Sequence, residues 1–418
     1  MNIINYSKNI FTNNFHALTH KNYRYYWSGQ CVSLIGTWVQ NIAQSWLVLS
    51  LTGSPFLLGL LGTIQFLPIT IFSLFAGVFI DKYPKRKILI ITQTISMVLA
   101  FILSALIFTN HVKYEYVLIL ALILGFSNTI DMPTRQAFTV EMVGKEDVMN
   151  AIALNSATFN LARIAGPAIG AIFMALFGTG WCFLINGFSF MAVIFSLLKL
   201  KVNPYVRKKV SNSNMLKEIK DGLVYITQNP ILLQTILMVL VVGIFVFNYN
   251  ILIPVFTKGV LHQGEKIYGL LMAALGIGSL IGAIMVSIKS KSGPKIKTLI
   301  MSSMIISILL ISVGLSKNYY ITAILLVMTG LFNIWFSTTA NSTLQINTKD
   351  EYRGRVMSVY SLVFAGATPI GNMFAGLTSD RFGAGVSFML SGILTIIFIS
   401  ILLLLSKIRN NMGKLNTN

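Results

Sequence analysis

Apolar residues run along this chain in long stretches separated by short polar and basic intervals. The stretches are too long and too numerous for the buried core helices of one globule. They match the ~20 residues that a helix needs to cross the hydrocarbon of a bilayer. The pattern predicts twelve spans, over 26–50, 56–80, 88–109, 116–134, 152–177, 181–200, 231–256, 267–288, 298–316, 319–342, 356–376 and 384–406. Connections such as Ser50 to Ser54, Gly178 to Gly180 and Ser316 to Asn318 are so short that the helices they join must run antiparallel. Ser54-Pro55 and Asn229-Pro230 each set a capping side chain before a first-turn proline, marking two helix starts. The expected fold is an all-α polytopic membrane protein of twelve transmembrane helices in two six-helix pseudo-symmetric bundles.

Composition agrees. Of 418 residues, 55% are hydrophobic and only 11% charged, less than half the share of an ordinary soluble domain. Both cysteines, Cys31 and Cys182, lie in apolar runs, and the four histidines lie in loops or the N-terminal segment. No disulfide framework, metal-ligand cluster or cofactor is therefore expected. A glycine-rich phosphate loop is missing, so ATP hydrolysis has no support. Paired carboxylates or a nucleophile with its base are missing too, which argues against an enzyme. Residues 1–24 lack the apolar core and cleavage site of a signal peptide.

The formal charge of +20 suggests nucleic acid until its distribution is followed. With the N-terminus placed in the cytoplasm, 26 of the 32 Lys and Arg fall on cytoplasmic segments and 5 on outer loops. That asymmetry is how a membrane protein sets its topology, and it puts both termini in the cytoplasm. The longest hydrophilic interval, 201–229, divides the chain into 1–200 and 230–418. It reads either as a basic tether or, over Met215 to Thr227, as a short amphipathic helix on the inner leaflet. The two parts echo one another: Ala165-Gly166-Pro167-Ala168-Ile169-Gly170 is answered by Gly366-Ala367-Thr368-Pro369-Ile370-Gly371, and Gly59-Leu60-Leu61 by Gly269-Leu270-Leu271. Parallel repeats of this kind are a transporter design.

The loop Gly77-Val78-Phe79-Ile80-Asp81-Lys82-Tyr83-Pro84-Lys85-Arg86-Lys87 resembles the signature loop of the major facilitator superfamily, with Pro84 where glycine is usual. Gly36-Thr37-Trp38-Val39-Gln40, Gln44-Ser45-Trp46, Arg135-Gln136-Ala137-Phe138 and Arg353-Gly354-Arg355 extend the likeness over roughly 20–405. They are similar to the drug- and siderophore-exporting branch that includes the enterobactin exporter. The resemblance implies a conformational latch at Gly77, Asp81, Lys82, Lys85 and Arg86, where a carboxylate at a helix end can pair with loop cations. A merely solvated basic loop is the alternative. Gly166-Pro167-x-x-Gly170 resembles an element of many exporters, although Ala153 and Ala162 replace its upstream glycines. It serves either helix bending or plain close packing.

Apart from Lys199 at the cytoplasmic end of the sixth, two charges fall inside predicted spans. Arg163 lies deep in the fifth, where a charge needs a partner or a wet cavity. It can hold an anionic cargo or tie helices together. Asp131, near the cytoplasmic end of the fourth span, has Arg135 one turn on, which makes either a proton-coupling carboxylate or a simple ion pair. The amides Gln40, Asn41, Gln44, Asn155, Asn160, Asn248 and Asn333 can line a central cavity or join helices. These readings predict a secondary active exporter in the cell membrane, working as a monomer among lipids and driven by protons. Its cargo would be an amphipathic organic solute such as a siderophore. A macrolide or multidrug exporter is the near alternative, and a transport-inactive receptor or scaffold a different class.

Overall fold

The computed structural model describes residues 16–200, 215–289 and 293–415. Beyond a short 3-10 turn at His16–Thr19, every regular element among them is α-helical. In chain order these are α1 Lys21–Thr52, α2 Pro55–Lys82, α3 Lys85–Phe108, α4 Tyr114–Gly144, α5 Glu146–Phe177, α6 Thr179–Lys199 and α7 Met215–Gln228. Then follow α8 Pro230–Phe245, α9 Tyr249–Gly259, α10 Glu265–Lys289, α11 Ile296–Leu315, α12 Tyr319–Ile346, α13 Asp350–Phe382 and α14 Ala384–Leu415. Eleven of the described helices, taking α8 and α9 as one, are long and apolar enough to cross a membrane. The first predicted span lies inside α1, which has the length at 32 residues but carries more polar side chains than the others.

Two departures from a simple series of rods have local causes. α4 and α5 meet without a loop at Gly144, whose φ of 76° and ψ of 178° suit a residue with no Cβ. The seventh predicted span is broken into α8 and α9. There the Asn248 side chain donates to the Ile244 carbonyl at 2.6 Å, competing with the backbone ladder, and the Asn248 N–H turns back to the Val246 carbonyl.

The chain forms two compact units, residues 1–47 with 71–211 and residues 48–70 with 212–418. In the first, α3 packs along α6 and beside the α4–α5 pair. Tyr26, Leu89, Phe138, Val193, Leu197 and Leu200 form one buried cluster. In a second cluster, Ala17 and Tyr23 pack on Val143, Ala151 and Leu154 near the α4–α5 junction. In the second unit α10 packs along α12, α11 lies between α12 and α14, and α8 lies against α13 and α14. Of the two readings of the hydrophilic interval, the short helix is present over Met215–Gln228 as α7. It is seated on the start of α13, with Ile226 buried among Leu232, Leu344, Val356 and Val359, and Tyr225 stacked on Tyr352 at 4.3 Å.

Candidate translocation residues

Arg163 stands about midway along α5, and its Nε and Nη2 are buried without a hydrogen-bond partner among the described residues. Phe159 and Gly166, one turn to either side of it, both touch Trp38 of α1. The Trp38 and Phe159 rings meet edge-on at 5.9 Å, and a Cβ at Gly166 would collide with the Trp38 side chain. Gly170 repeats this closeness, since a Cβ there would lie 3.2 Å from the Val39 backbone. The glycines of the Gly-Pro element thus let α1 and α5 pack at close range. Pro167 remains inside α5. A desolvated guanidinium with free N–H groups is costly, and it leaves two donors for an incoming acceptor.

The amides divide between joining helices and staying open. Gln40 is buried and accepts from Asn186 of α6 at 2.6 Å, while Ser189 donates to Asn186 at 2.8 Å. Asn155 accepts from the Tyr23 hydroxyl at 2.9 Å. Asn160 donates to Ser156 of its own helix. Gln44 is buried and partnered, and Asn41 is half-buried. In the second unit Asn333 donates to the Tyr249 hydroxyl at 2.8 Å, and the side-chain oxygens of Asn248 and Asn333 accept nothing among the described residues. Of the amides predicted for a cavity, these last two keep spare acceptors.

Asp131 is 5% exposed and ringed by donors: Thr92 Oγ1 at 2.6 Å, Gln93 Nε2 at 2.9 Å, and Arg135 Nε in a short ion pair. Pro133 sits between the pair without ending the helix. Sequence reading found the pair and missed Thr92 and Gln93, which lie some forty positions away and carry no charge to announce them.

At the signature loop, the surroundings of Gly77 and the Asp81 side chain lie outside what is described. The cations around them are placed. Lys82 is exposed, and Lys85 is ion-paired with Glu141 of α4. Arg86 donates to the carbonyls of Leu197 and Leu198 at 2.7 and 2.9 Å, capping the C-terminal end of α6 with a cation. Two of the loop's cations therefore bind helices of their own unit. A polar contact that the sequence reading missed fastens the N-terminal turn to the start of α5: His20 is hydrogen-bonded to Asp147 at 2.7 Å, and His16 faces the same carboxylate at 3.8 Å. Its counterpart in the second unit joins Arg355 to Asp221 of α7 at 3.7 Å.

Comparison with known proteins fits this architecture. Residues 12–416 match the transmembrane secretion effector family. The chain is 28% identical to the staphyloferrin A transporter of Staphylococcus aureus, over 89% of this chain and 93% of that one. It is 25% identical to macrolide efflux protein A of Streptococcus pyogenes, over 92% and 95%. The enterobactin exporter of Shigella flexneri is 23% identical over 91% and 92%. Among solved structures, an inward-facing bacterial homologue of the human lysosomal transporter Spinster superposes with a TM-score of 0.71 at 12% identity, covering 91% of this chain and 97% of that one. A D-xylose–proton symporter does so with 0.71 at 12%, covering 90% and 96%. Those likenesses carry the fold. The chain belongs to the transmembrane secretion effector family, and it is a multi-pass membrane transporter of the major facilitator superfamily rather than an enzyme.

Proposed function

We propose that this transporter is a proton-coupled exporter of an amphipathic organic anion of the siderophore type, with Arg163 as the cargo's counter-charge. The observation that carries the reading is the Arg163 guanidinium, buried in α5 with two nitrogens unpaired. A carboxylate-bearing cargo offers the paired acceptors that a guanidinium fork takes best. The similarity to a staphyloferrin A transporter and an enterobactin exporter supports the same class. In this reading α1 is the twelfth span, its polar side chains turned to partners such as Asn186, and both termini with the 201–229 interval are cytoplasmic.

Macrolide or multidrug efflux is the second reading. The spare oxygens of Asn248 and Asn333 favour it, because neutral acceptors suit a bulky solute of mixed character. Its relatives include macrolide efflux protein A. Purified protein in liposomes separates the two, assayed with staphyloferrin A and with a macrolide. For an anionic cargo, Arg163→Gln weakens binding by roughly 10- to 150-fold, the ~1.5–3 kcal/mol of a hydrogen bond to a charged group. Arg163→Lys recovers part of the loss. Unchanged siderophore binding in a well-folded Arg163→Gln protein, or macrolide binding alone in the parent, sinks the anion reading.

A further inference from the structure

α3 meets the Asp131 carboxylate with two side chains, and each of them can reverse its role. Thr92 Oγ1 lies 2.6 Å from Asp131 Oδ1 and 3.1 Å from the Leu89 carbonyl, three residues back on its own helix. A hydroxyl has one hydrogen, so it donates to one of these oxygens at a time. Threonine carries this second choice into any helix, because its Oγ1 can reach the carbonyl a turn earlier. Gln93 is buried, and its Nε2 donates to the same Oδ1 at 2.9 Å, while its Oε1 meets no partner among the described residues. Turning the amide over puts an acceptor where the donor was. Ser127 Oγ of α4 and Ser96 Oγ of α3 both donate to the Thr92 carbonyl, at 3.1 and 3.0 Å, which fixes Thr92 against α4.

The second carboxylate oxygen has no such freedom. Oδ2 is ion-paired with Arg135, and a guanidinium donates but does not accept. Among the described residues, the charged and titratable groups facing the carboxylate are Arg135 and Tyr26 of α1, which is buried against the same guanidinium. A proton arriving at Asp131 therefore goes to Oδ1, the oxygen that faces groups able to accept it.

We infer that Thr92 and Gln93 are positioning residues that let Asp131 take up and release a proton inside a buried site. With the carboxylate ionised, both donate to Oδ1. When a proton from water forms the Oδ1–H bond, the Thr92 hydroxyl turns its hydrogen to the Leu89 carbonyl and accepts from Oδ1–H. Gln93 can accept in the same way through Oε1. Return of the proton to water reverses these turns. Oδ1 is hydrogen-bonded in both states, so neither state bears the cost of an unpaired buried polar group. An N–H donor fixed at either position would favour the carboxylate alone. The inference rests on the proton-coupled part of the reading above, and it adds the groups that make protonation of Asp131 reversible.

Infrared difference spectra of the transporter in lipid nanodiscs, recorded as the pH is lowered, show the C=O stretch of each carboxyl that takes up a proton. The band missing from the Asp131→Asn, Arg135→Gln double variant belongs to Asp131. No cargo is needed, so the result is independent of the anion reading. Thr92→Val removes a hydrogen bond that is stronger to the carboxylate than to the acid, so the band should appear about 0.5–1 pH unit higher than in the parent. Gln93→Leu should act in the same direction, and Thr92→Ser should restore the parent. With Thr92→Val and Gln93→Leu combined, the acid has no acceptor for its O–H, and its C=O stretch should move to higher frequency. Variants shown by thermal melting to be folded, yet with the parent's pH dependence, overturn the inference. A moved pH dependence with an unmoved frequency makes both side chains donors only and overturns it too, while leaving Asp131 as a proton carrier. If the parent has no Asp131 band, the ion pair is static, and the proton role of Asp131 falls together with the inference.

Discussion

Asp131 is reached by three donors, Thr92 and Gln93 from α3 and Arg135 from its own helix; the carboxylate is buried and the guanidinium largely so. Such a pair gives little net stability over an apolar substitute, but breaking it leaves one charge alone in a largely buried site. Asp131→Asn keeps both neutral hydrogen bonds and strands Arg135. It should lower stability by about 3–5 kcal/mol, read as a fall in melting temperature of the purified transporter. Asp131→Asn combined with Arg135→Gln should recover much of that loss. The double variant then addresses coupling, because asparagine cannot titrate. If Asp131 carries the driving proton, the double variant still exchanges cargo downhill but does not accumulate it against a pH gradient. Accumulation persisting in that protein would confine the pair to joining α3 and α4.

α7 and the long apolar helices were legible because their signals are spread over many residues, as runs of some twenty apolar positions or as one strongly two-faced segment. Features set by a single residue were not. The break between α8 and α9 falls in an unbroken apolar run, and only Asn248 marks it. The continuous passage from α4 to α5 was hidden by the polar composition of 135–151, which reads as a loop. Gly144 is the hinge of that passage, and a Cβ there would meet nothing within 4 Å. The whole cost of Gly144→Ala therefore lies in the backbone: this φ and ψ belong to a region other residues adopt only at about 1–3 kcal/mol. Differential scanning calorimetry of Gly144→Ala should show a loss in that range, and Gly144→Asn should fare no better. A neutral Gly144→Ala would mean that the junction straightens at no cost, and the hinge assignment would fall.

At the scale of the whole chain, family membership and charge asymmetry bear on different things. The match over residues 12–416 establishes the fold and the transporter class, while orientation rests on 26 Lys and Arg against 5. The asymmetry is informative because it sums many small terms, each opposing transfer of a positive side chain across the membrane during insertion. The partners of individual side chains could not be summed in this way: Lys258 donates to the carbonyl of Leu49, far away in the chain, and nothing in the run of residues between them sets their distance. Six apolar helices follow residue 212, so it is expected to share a side with the C-terminus, with His262, one crossing on, on the other; counting α1 as a span puts the N-terminus on the side of 212 as well. In a Cys31→Ser, Cys182→Ala background, a membrane-impermeant maleimide added to sealed cells should label His262→Cys, in the turn after α9, and leave Asn212→Cys untouched. Permeabilised cells should label both. Labelling of Asn212→Cys from outside would reverse the orientation. Should both positions react in sealed cells, the number of crossings between them must be even, and α8 with α9 would have to be a re-entrant pair rather than one broken span.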